Sequence, residues 1–104
     1  MTGRADLPPK RVGSTKTYTF DFTSDLAIGE TISTQAVTAS VYAGTDATPS
    51  AIVSGSASAS GTVVSQKITA GVLGVIYKLI CAITTSAGQT LQQVGYLAVI
   101  PDLP

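Results

Sequence analysis

The chain has 104 residues and a formal net charge of zero, with 12% charged and 44% hydrophobic residues. A chain of this length forms one domain and can bury a core without a metal or a disulfide staple. Because the charged fraction is about half of the roughly 25% typical of soluble domains, we expect a β protein covered by Thr and Ser, a surface covered by partners in an assembly, or both.

The composition argues against most catalytic chemistry. The sequence contains no histidine, which is the commonest general base and a common zinc ligand. Its single cysteine, Cys81, lies mid-strand and has no histidine to activate it. Asp21, Asp25 and Glu30 come nearest to a carboxylate cluster, but they lack the close alternation of a calcium loop and the paired placement of a glycosidase. We predict that the protein is not an enzyme and holds no cofactor or metal.

Residues 1–15 are predicted to form an extended basic arm. Pro8 and Pro9 favour extended polyproline backbone, and about 15 extended residues reach up to ~50 Å. Residues 1–16 hold four basic residues and one acidic residue, whereas residues 17–46 hold four acidic residues and no basic one. This asymmetry is consistent with docking on another copy or on a shared scaffold, although a short basic N-terminus is more often a solvated tail. Without interleaved aromatic residues, the basic footprint is too thin to favour nucleic-acid binding.

Residues 16–104 are predicted to form one β domain. Tyr18, Phe20 and Phe22 alternate with polar residues, so we expect them to face the core. The Gly- and Ser-rich run 54–61 is typical of a flexible linker or of a weak strand, and we prefer the strand. The predicted strands are 16–23, 30–33, 36–43, a brief edge at 51–53, 54–61, 62–69, 75–84 and 90–100.

The last two predicted strands are the most strongly patterned part of the chain. They are apolar on nearly both faces, so one face is expected to cover the core and the other to meet a neighbour. Residues 86–89 form the turn between them, and Gly88 can take the positive φ that closes a tight hairpin. Tyr77 fits the tyrosine corner of immunoglobulin-like sandwiches, in which the hydroxyl bonds to the backbone upstream.

The short strands and the lack of helical periodicity predict an all-β fold, an immunoglobulin-like antiparallel β-sandwich of about seven strands. The Cys…Trp…Cys pattern of antibody domains is absent, because there is no Trp and one Cys. The N-terminus has no apolar secretory segment, and no stretch approaches the ~18 apolar residues of a membrane helix. We therefore expect synthesis in the cytosol and no membrane association.

Two tyrosines are predicted on outward strand faces, Tyr42 and Tyr96. Such a pair on an open sheet can stack on a sugar or pack on a protein. Ordinary sheet surface also contains tyrosines, paired across strands with threonines. We favour ordinary surface first, a protein interface second and sugar binding last.

Three parts of the sequence carry a resemblance to a known family: DFTSDLAIGETIS at 21–33, SVYAGTDATPS at 40–50, and GVIYKL at 74–79 with TTSAGQT at 84–90. They resemble the small virion proteins of tailed bacteriophages called fiber–tail adaptor or connector-associated proteins. The similarity runs from about residue 16 to the end of the chain.

The resemblance implies a non-enzymatic structural protein of the virion, made in the host cytoplasm. It implies copies in a symmetric assembly at the head–tail connector or tail, where each docks on a neighbouring ring and helps to hold fibers. The implied partners are other virion proteins, namely portal, adaptor, tail or fiber subunits. The residues expected to make the contacts are Leu7, Pro8, Pro9, Lys10, Arg11 and Val12 on the arm and, as a second choice, Tyr42, Thr45, Asp46 and Tyr96.

Two alternatives remain open at this point. The first is a capsid decoration protein, which would place the same kind of domain on the head lattice. The second is a carbohydrate-binding adhesion module that uses the two outward tyrosines.

Overall fold

The structure is a computed structural model that describes residues 5–6 and 9–101. This part of the chain is all-β apart from two short 3-10 helices, as the sequence predicts. The strands are β1 (Ala5–Asp6), β2 (Lys10–Arg11), β3 (Lys16–Asp21), β4 (Ile32–Ala43), β5 (Val53–Ser60), β6 (Val63–Ile68), β7 (Ile76–Thr85) and β8 (Thr90–Ile100), and the 3-10 helices are Thr23–Asp25 and Pro49–Ile52.

The described strands form two sheets that pack as a sandwich. In the large sheet, β7 lies between β4 and β8, and both neighbours run antiparallel to it. β1 and β2 pair with the outer edge of β8, and both run parallel to it. The small sheet is antiparallel, with the order β3–β6–β5. The β-sandwich is therefore confirmed, while its immunoglobulin-like character stays a prediction.

The core lies between the two sheets and is built by alternation along the strands. Tyr18, Phe20 and Phe22 are all at most 4% exposed, which confirms the predicted core face of the first long strand. From the large sheet, β7 buries every second side chain from Tyr77 to Thr85. Each large apolar side chain buried in this way contributes roughly 1.5–3 kcal/mol, so the alternation fixes which face of each strand points inward.

β4 differs from the prediction because it is one strand. Residues 30–33 and 36–43 were expected to form separate strands, but β4 pairs with β7 from Ile32 to Ala43. The register shifts between Ile32 and Thr34, which is a β-bulge and not a break.

The region after β4 shows the other difference. The brief edge predicted at 51–53 is largely a 3-10 helix, Pro49–Ile52, in which a proline occupies the first turn and Ile52 is buried. The Gly- and Ser-rich run that follows is β5, which confirms the strand over the linker. Its ladder to β6 is irregular between Ser54 and Ser58.

The described part of the N-terminal arm lies against its own domain. The Val12 amide donates to the Ile100 carbonyl at 2.9 Å and continues the pairing of β2 with β8. Lys10 is only 1% exposed, and its Nζ donates to the Arg11 carbonyl at 2.7 Å and to the Ser14 carbonyl at 2.6 Å. The boundary predicted between residues 15 and 16 stays a prediction.

Within the described ranges, the helices are far too short to span a bilayer.

Candidate docking face

The outward face of β4, β7 and β8 is the candidate site, and we call it the docking face. The inward residues of β7 and β8 are buried, so the alternate residues point to the other side of the large sheet. Pairing places Ile80 beside Val94, and Lys78 beside Tyr96. The outward side chains that form the docking face are Thr38, Ser40, Tyr42, Ile76, Lys78, Ile80, Val94, Tyr96 and Ala98.

The part of the docking face on β7 and β8 is largely apolar, where a sheet face in water would be polar. A strand with one wet face normally alternates apolar and polar residues, yet β7 carries Ile76 and Ile80 on its outward side. Both are half-buried, as is Val94 beside them. The same strands therefore have an inward apolar face that the small sheet covers and an outward side on which these apolar side chains stay partly exposed.

Lys78 gives the docking face its only formal charge. β4, β7 and β8 are described throughout, and Lys78 is the one charged residue in the three strands. It lies on the central strand, opposite Ser40 on one side and Tyr96 on the other. A cation in the middle of an apolar surface favours a partner that supplies an anion at that point.

Tyr42 and Tyr96 meet on this face. Their ring centroids are 4.6 Å apart with an interplanar angle of 72°, an edge-to-face arrangement that aromatic pairs prefer. The two residues lie on β4 and β8, so the rings meet across β7. Tyr42 falls where the register shifts between Val41 and Ala43, and a bulge of this kind re-aims a side chain.

Tyr77 and Asp46 tie two loops together at one end of the sandwich. The Val72 amide donates to the Tyr77 hydroxyl at 2.8 Å, and this hydroxyl donates to Asp46 Oδ2 at 2.6 Å. The upstream backbone bond is the one predicted for a tyrosine corner. Asp46 Oδ1 also accepts the Thr48 amide at 2.9 Å. These bonds hold the pKa of Asp46 below its usual range, and burial followed by the bond to Asp46 raises the pKa of Tyr77.

The predicted contact residues fall into different environments. Pro9 and Arg11 are exposed, and Arg11 Nη1 donates to the Pro101 carbonyl at 3.3 Å. Val12 packs against the core, and Lys10 bonds to its own chain as described above. Leu7 and Pro8 lie outside the described residues. Of the second group, Thr45 is exposed, and both carboxylate oxygens of Asp46 accept bonds from within the chain.

Two groups that the sequence singles out for possible reactivity, Cys81 and Asp21, have shifted pKa values. Cys81 is fully buried, and burial raises the pKa of its thiol to about 12, so the reactive thiolate is suppressed. Asp21 Oδ1 accepts the Thr23 amide at 2.8 Å, and the pKa of this carboxyl is lowered by Thr23. Among the described residues, no group of three or more His, Cys, Asp or Glu could hold a metal ion.

Sequence reasoning expected a neighbour on the second face of the last two strands but did not name Ile76, Lys78, Ile80 or Val94 as contact residues. The signal for them was present in the apolar run of β7, whose outward positions carry two isoleucines. What the sequence lacks is the pairing register, which sets Ile80 beside Val94 and so joins separate residues into one surface.

The comparison with protein families decides what kind of protein carries this face. Residues 10–98 match the family described as Podophage GP4 fiber-tail adaptor protein gp77. The chain belongs to this family. Neither the curated proteins nor the solved structures gave a match.

Membership in the fiber-tail adaptor family makes this chain a structural protein of the bacteriophage virion that interacts with other virion proteins. The predicted resemblance is thereby confirmed. The matched region begins at Lys10, earlier than the resemblance in the sequence suggested, and runs from β2 into β8. The docking face of the adaptor lies within it.

Proposed function

We propose that this adaptor docks through the apolar docking face on a neighbouring ring of the tail or connector and helps to hold fibers there. The observation that carries the proposal is the second apolar face of the large sheet with a single lysine at its centre. Apolar surface left open to water is the usual mark of a protein interface. Loss of water from Ile76, Ile80 and Val94 supplies the driving force, at about 25 cal/mol per Å² of apolar area buried.

The partner has a definite chemistry on this proposal. Its surface is apolar and carries a carboxylate opposite Lys78, because a buried ammonium without a counter-charge is costly. Two copies of this chain placed face to face would bring one Lys78 near the other, and like charges in an interface are repulsive. The partner at this face is therefore a different virion protein.

The N-terminal arm extends the same contact in this proposal. β1 and β2 lie along the outer edge of β8, and the register places Asp6 beside Tyr96. Exposed arm residues such as Pro9 and Arg11 are therefore close to the β8 edge of the docking face. Leu7, Pro8, Pro9 and Arg11 are proposed to widen the contact, while Lys10 and Val12 hold the arm on β8.

The test is rebinding of the full chain to particles assembled without it. Lys78→Glu should weaken rebinding by at least about tenfold. Ser56→Glu is the control, because it adds a carboxylate at an exposed position midway along β5 of the small sheet and should rebind normally. Circular dichroism checks that both variants are folded.

Cryo-electron microscopy of the rebound particles then locates the chain. A symmetric ring at the tail or connector, with the docking face on a neighbour, supports the proposal. Density across the head lattice would mean decoration instead. Equal rebinding by both variants would show that the docking face does not make the contact with the particle.

A further inference from the structure

The two ends of the sandwich carry complementary surfaces that the docking face does not use. The described residues extend 44 × 25 × 23 Å. The three long strands of the large sheet, β4, β7 and β8, have ten to twelve residues, and at about 3.3 Å per residue they are long enough to define the longest of these dimensions. We call the end formed by 21–31, 61–62 and 86–89 the acidic end. The opposite end, formed by 13–16, 44–52 and 67–75, is the basic end.

The acidic end displays one isoleucine on a fastened turn. Ile28 is fully exposed at the tip of the turn Ala27–Glu30. The Glu30 amide donates to the Ala27 carbonyl at 2.9 Å, and the Ala27 amide donates to Glu30 Oε1 at 2.9 Å. Gly29 has φ +84°, as the third residue of a type II turn requires. Ile28 is thus held away from the domain by a turn that is closed from both sides.

The basic end repeats this construction. Val72 and Leu73 are about half exposed, and the Val75 amide closes their turn on the Val72 carbonyl at 3.1 Å. Gly74 has φ +85°. The Val72 amide donates to a side-chain oxygen, the Tyr77 hydroxyl, just as the Ala27 amide donates to Glu30 Oε1 at the acidic end. Both ends therefore present exposed apolar side chains on turns that are rigid before any partner arrives.

The formal charges separate along the same axis. Asp21, Asp25 and Glu30 lie at the acidic end, and the sequence has no Lys or Arg from residue 17 to residue 66 or after residue 78. Lys16 and Lys67 lie at the basic end and are exposed. The carboxylate of Asp46 is also at that end, where Tyr77 and Thr48 donate to it. Among the described residues, basic groups therefore predominate there.

We propose that copies of this chain associate head to tail, with the acidic end of one copy against the basic end of the next and Ile28 packed on Val72 and Leu73. A second copy is the occupant because both halves of the contact, opposite in charge and each with an apolar tip, are present on one chain. A head-to-tail contact closes into a ring when its rotation permits. It also leaves the docking face of every copy uncovered and in the same orientation.

The inference is tested by sedimentation velocity of the full chain over a concentration series in low-salt and high-salt buffer. Association is expected in low salt and should weaken in high salt, because exposed charges are screened. Ile28→Asp should raise the dissociation constant by about tenfold or more. Ser56→Asp adds the same charge at an exposed position midway along β5, and its association should match the wild type.

Charge-reversed ends give a second, independent readout. Lys16→Glu with Lys67→Glu makes both ends acidic. Ser24→Lys, Asp25→Lys and Ala27→Lys together make the acidic end net basic. Each variant alone should be monomeric, whereas their equimolar mixture should associate again, and circular dichroism confirms that both are folded.

Three results would overturn the inference. They are a wild-type chain that stays monomeric in low salt, an Ile28→Asp variant that associates like Ser56→Asp, and a mixture of reversed variants that stays monomeric. Small-angle scattering adds a geometric check, since head-to-tail pairs must lengthen the particle and side-by-side pairs must widen it. None of these measurements involves another virion protein, so failure here leaves the docking-face proposal intact.

Discussion

Tyr77→Phe is the substitution whose effect on stability follows most directly from the structure. It removes one oxygen from a side chain that is 0% exposed and leaves the ring in place. The lost hydroxyl accepts the Val72 amide and donates to Asp46. A hydrogen bond of this kind contributes about 0.5–1.5 kcal/mol net, and the hydroxyl makes two. We therefore expect the free energy of unfolding to fall by about 1–3 kcal/mol, a sizeable share of the roughly 5–15 kcal/mol that holds a domain together.

Urea unfolding measures this loss. With a urea m-value of ~1–3 kcal/mol/M for a small domain, the midpoint should fall by about 1 M while m stays constant. Ser50→Ala is the control, because it removes an exposed hydroxyl from the same end of the sandwich and should change stability by less than about 0.5 kcal/mol. A Tyr77→Phe midpoint equal to that of Ser50→Ala would refute the role assigned to the corner.

The same substitution has a signature in its pH dependence. The Tyr77 hydroxyl and then the Thr48 amide lower the pKa of Asp46 in the folded state. A carboxyl with a lowered folded pKa stabilises the fold above its unfolded pKa and loses this contribution as the pH falls through the folded pKa. The stability gap between wild type and Tyr77→Phe should therefore be full at neutral pH and narrow in acid. A gap that widens in acid would contradict the assignment.

Three further outcomes are expected from single positions. Gly71→Ala should lower the unfolding midpoint far more than Gly29→Ala: both glycines have positive φ, but only at Gly71 would the new Cβ come within 2.9 Å of Val99 Cγ2. Equal midpoints would show that the close approach is relieved at no cost. Lys10→Met should speed hydrogen exchange of the amides that join β2 to β8, because two carbonyls lose the buried ammonium that holds this turn. Unchanged exchange would mean that the pairing does not need it. Cys81 should react with a thiol reagent only after unfolding, since it is buried with a pKa of about 12, and rapid labelling of the native protein would contradict that.

The long strands could be predicted because their signal is local. Alternation of Tyr18, Phe20 and Phe22 with polar residues identifies both the strand and its inner face. In the last hairpin, β7 ends and β8 begins on either side of the turn predicted at 86–89. The position of Tyr77 after a glycine was enough to predict the hydroxyl bond to upstream backbone. In each case residues within about ten positions of one another contain the information.

The rest depends on partners that are distant in sequence. Lysine is usually a surface residue. The burial of Lys10 follows from the pairing of β2 with β8, in which its partner Val99 lies 89 positions later in the chain. The contact between Tyr42 and Tyr96 needs the order β4–β7–β8 and the shifted register beside Tyr42. The bulge in β4 interrupts the alternation of inward and outward residues, so the sequence predicted two strands where there is one. Side-chain periodicity identifies faces, but it does not set the register that assembles them.

The parallel pairing of β2 with β8 has a mechanical consequence for a structural protein of a virion. Hydrogen bonds between strands lie across the strand direction. Because β2 and β8 are parallel, the chain before β2 and the chain after β8 leave the paired region at opposite ends. Tension between the chain before β2 and the chain after β8 therefore acts along the strands and loads these bonds in shear. The hydrogen bonds between β2 and β8 must then break together, whereas an antiparallel pair pulled from adjacent ends would lose its bonds one at a time. The pairing of β2 with β8 is accordingly oriented to resist force along the chain.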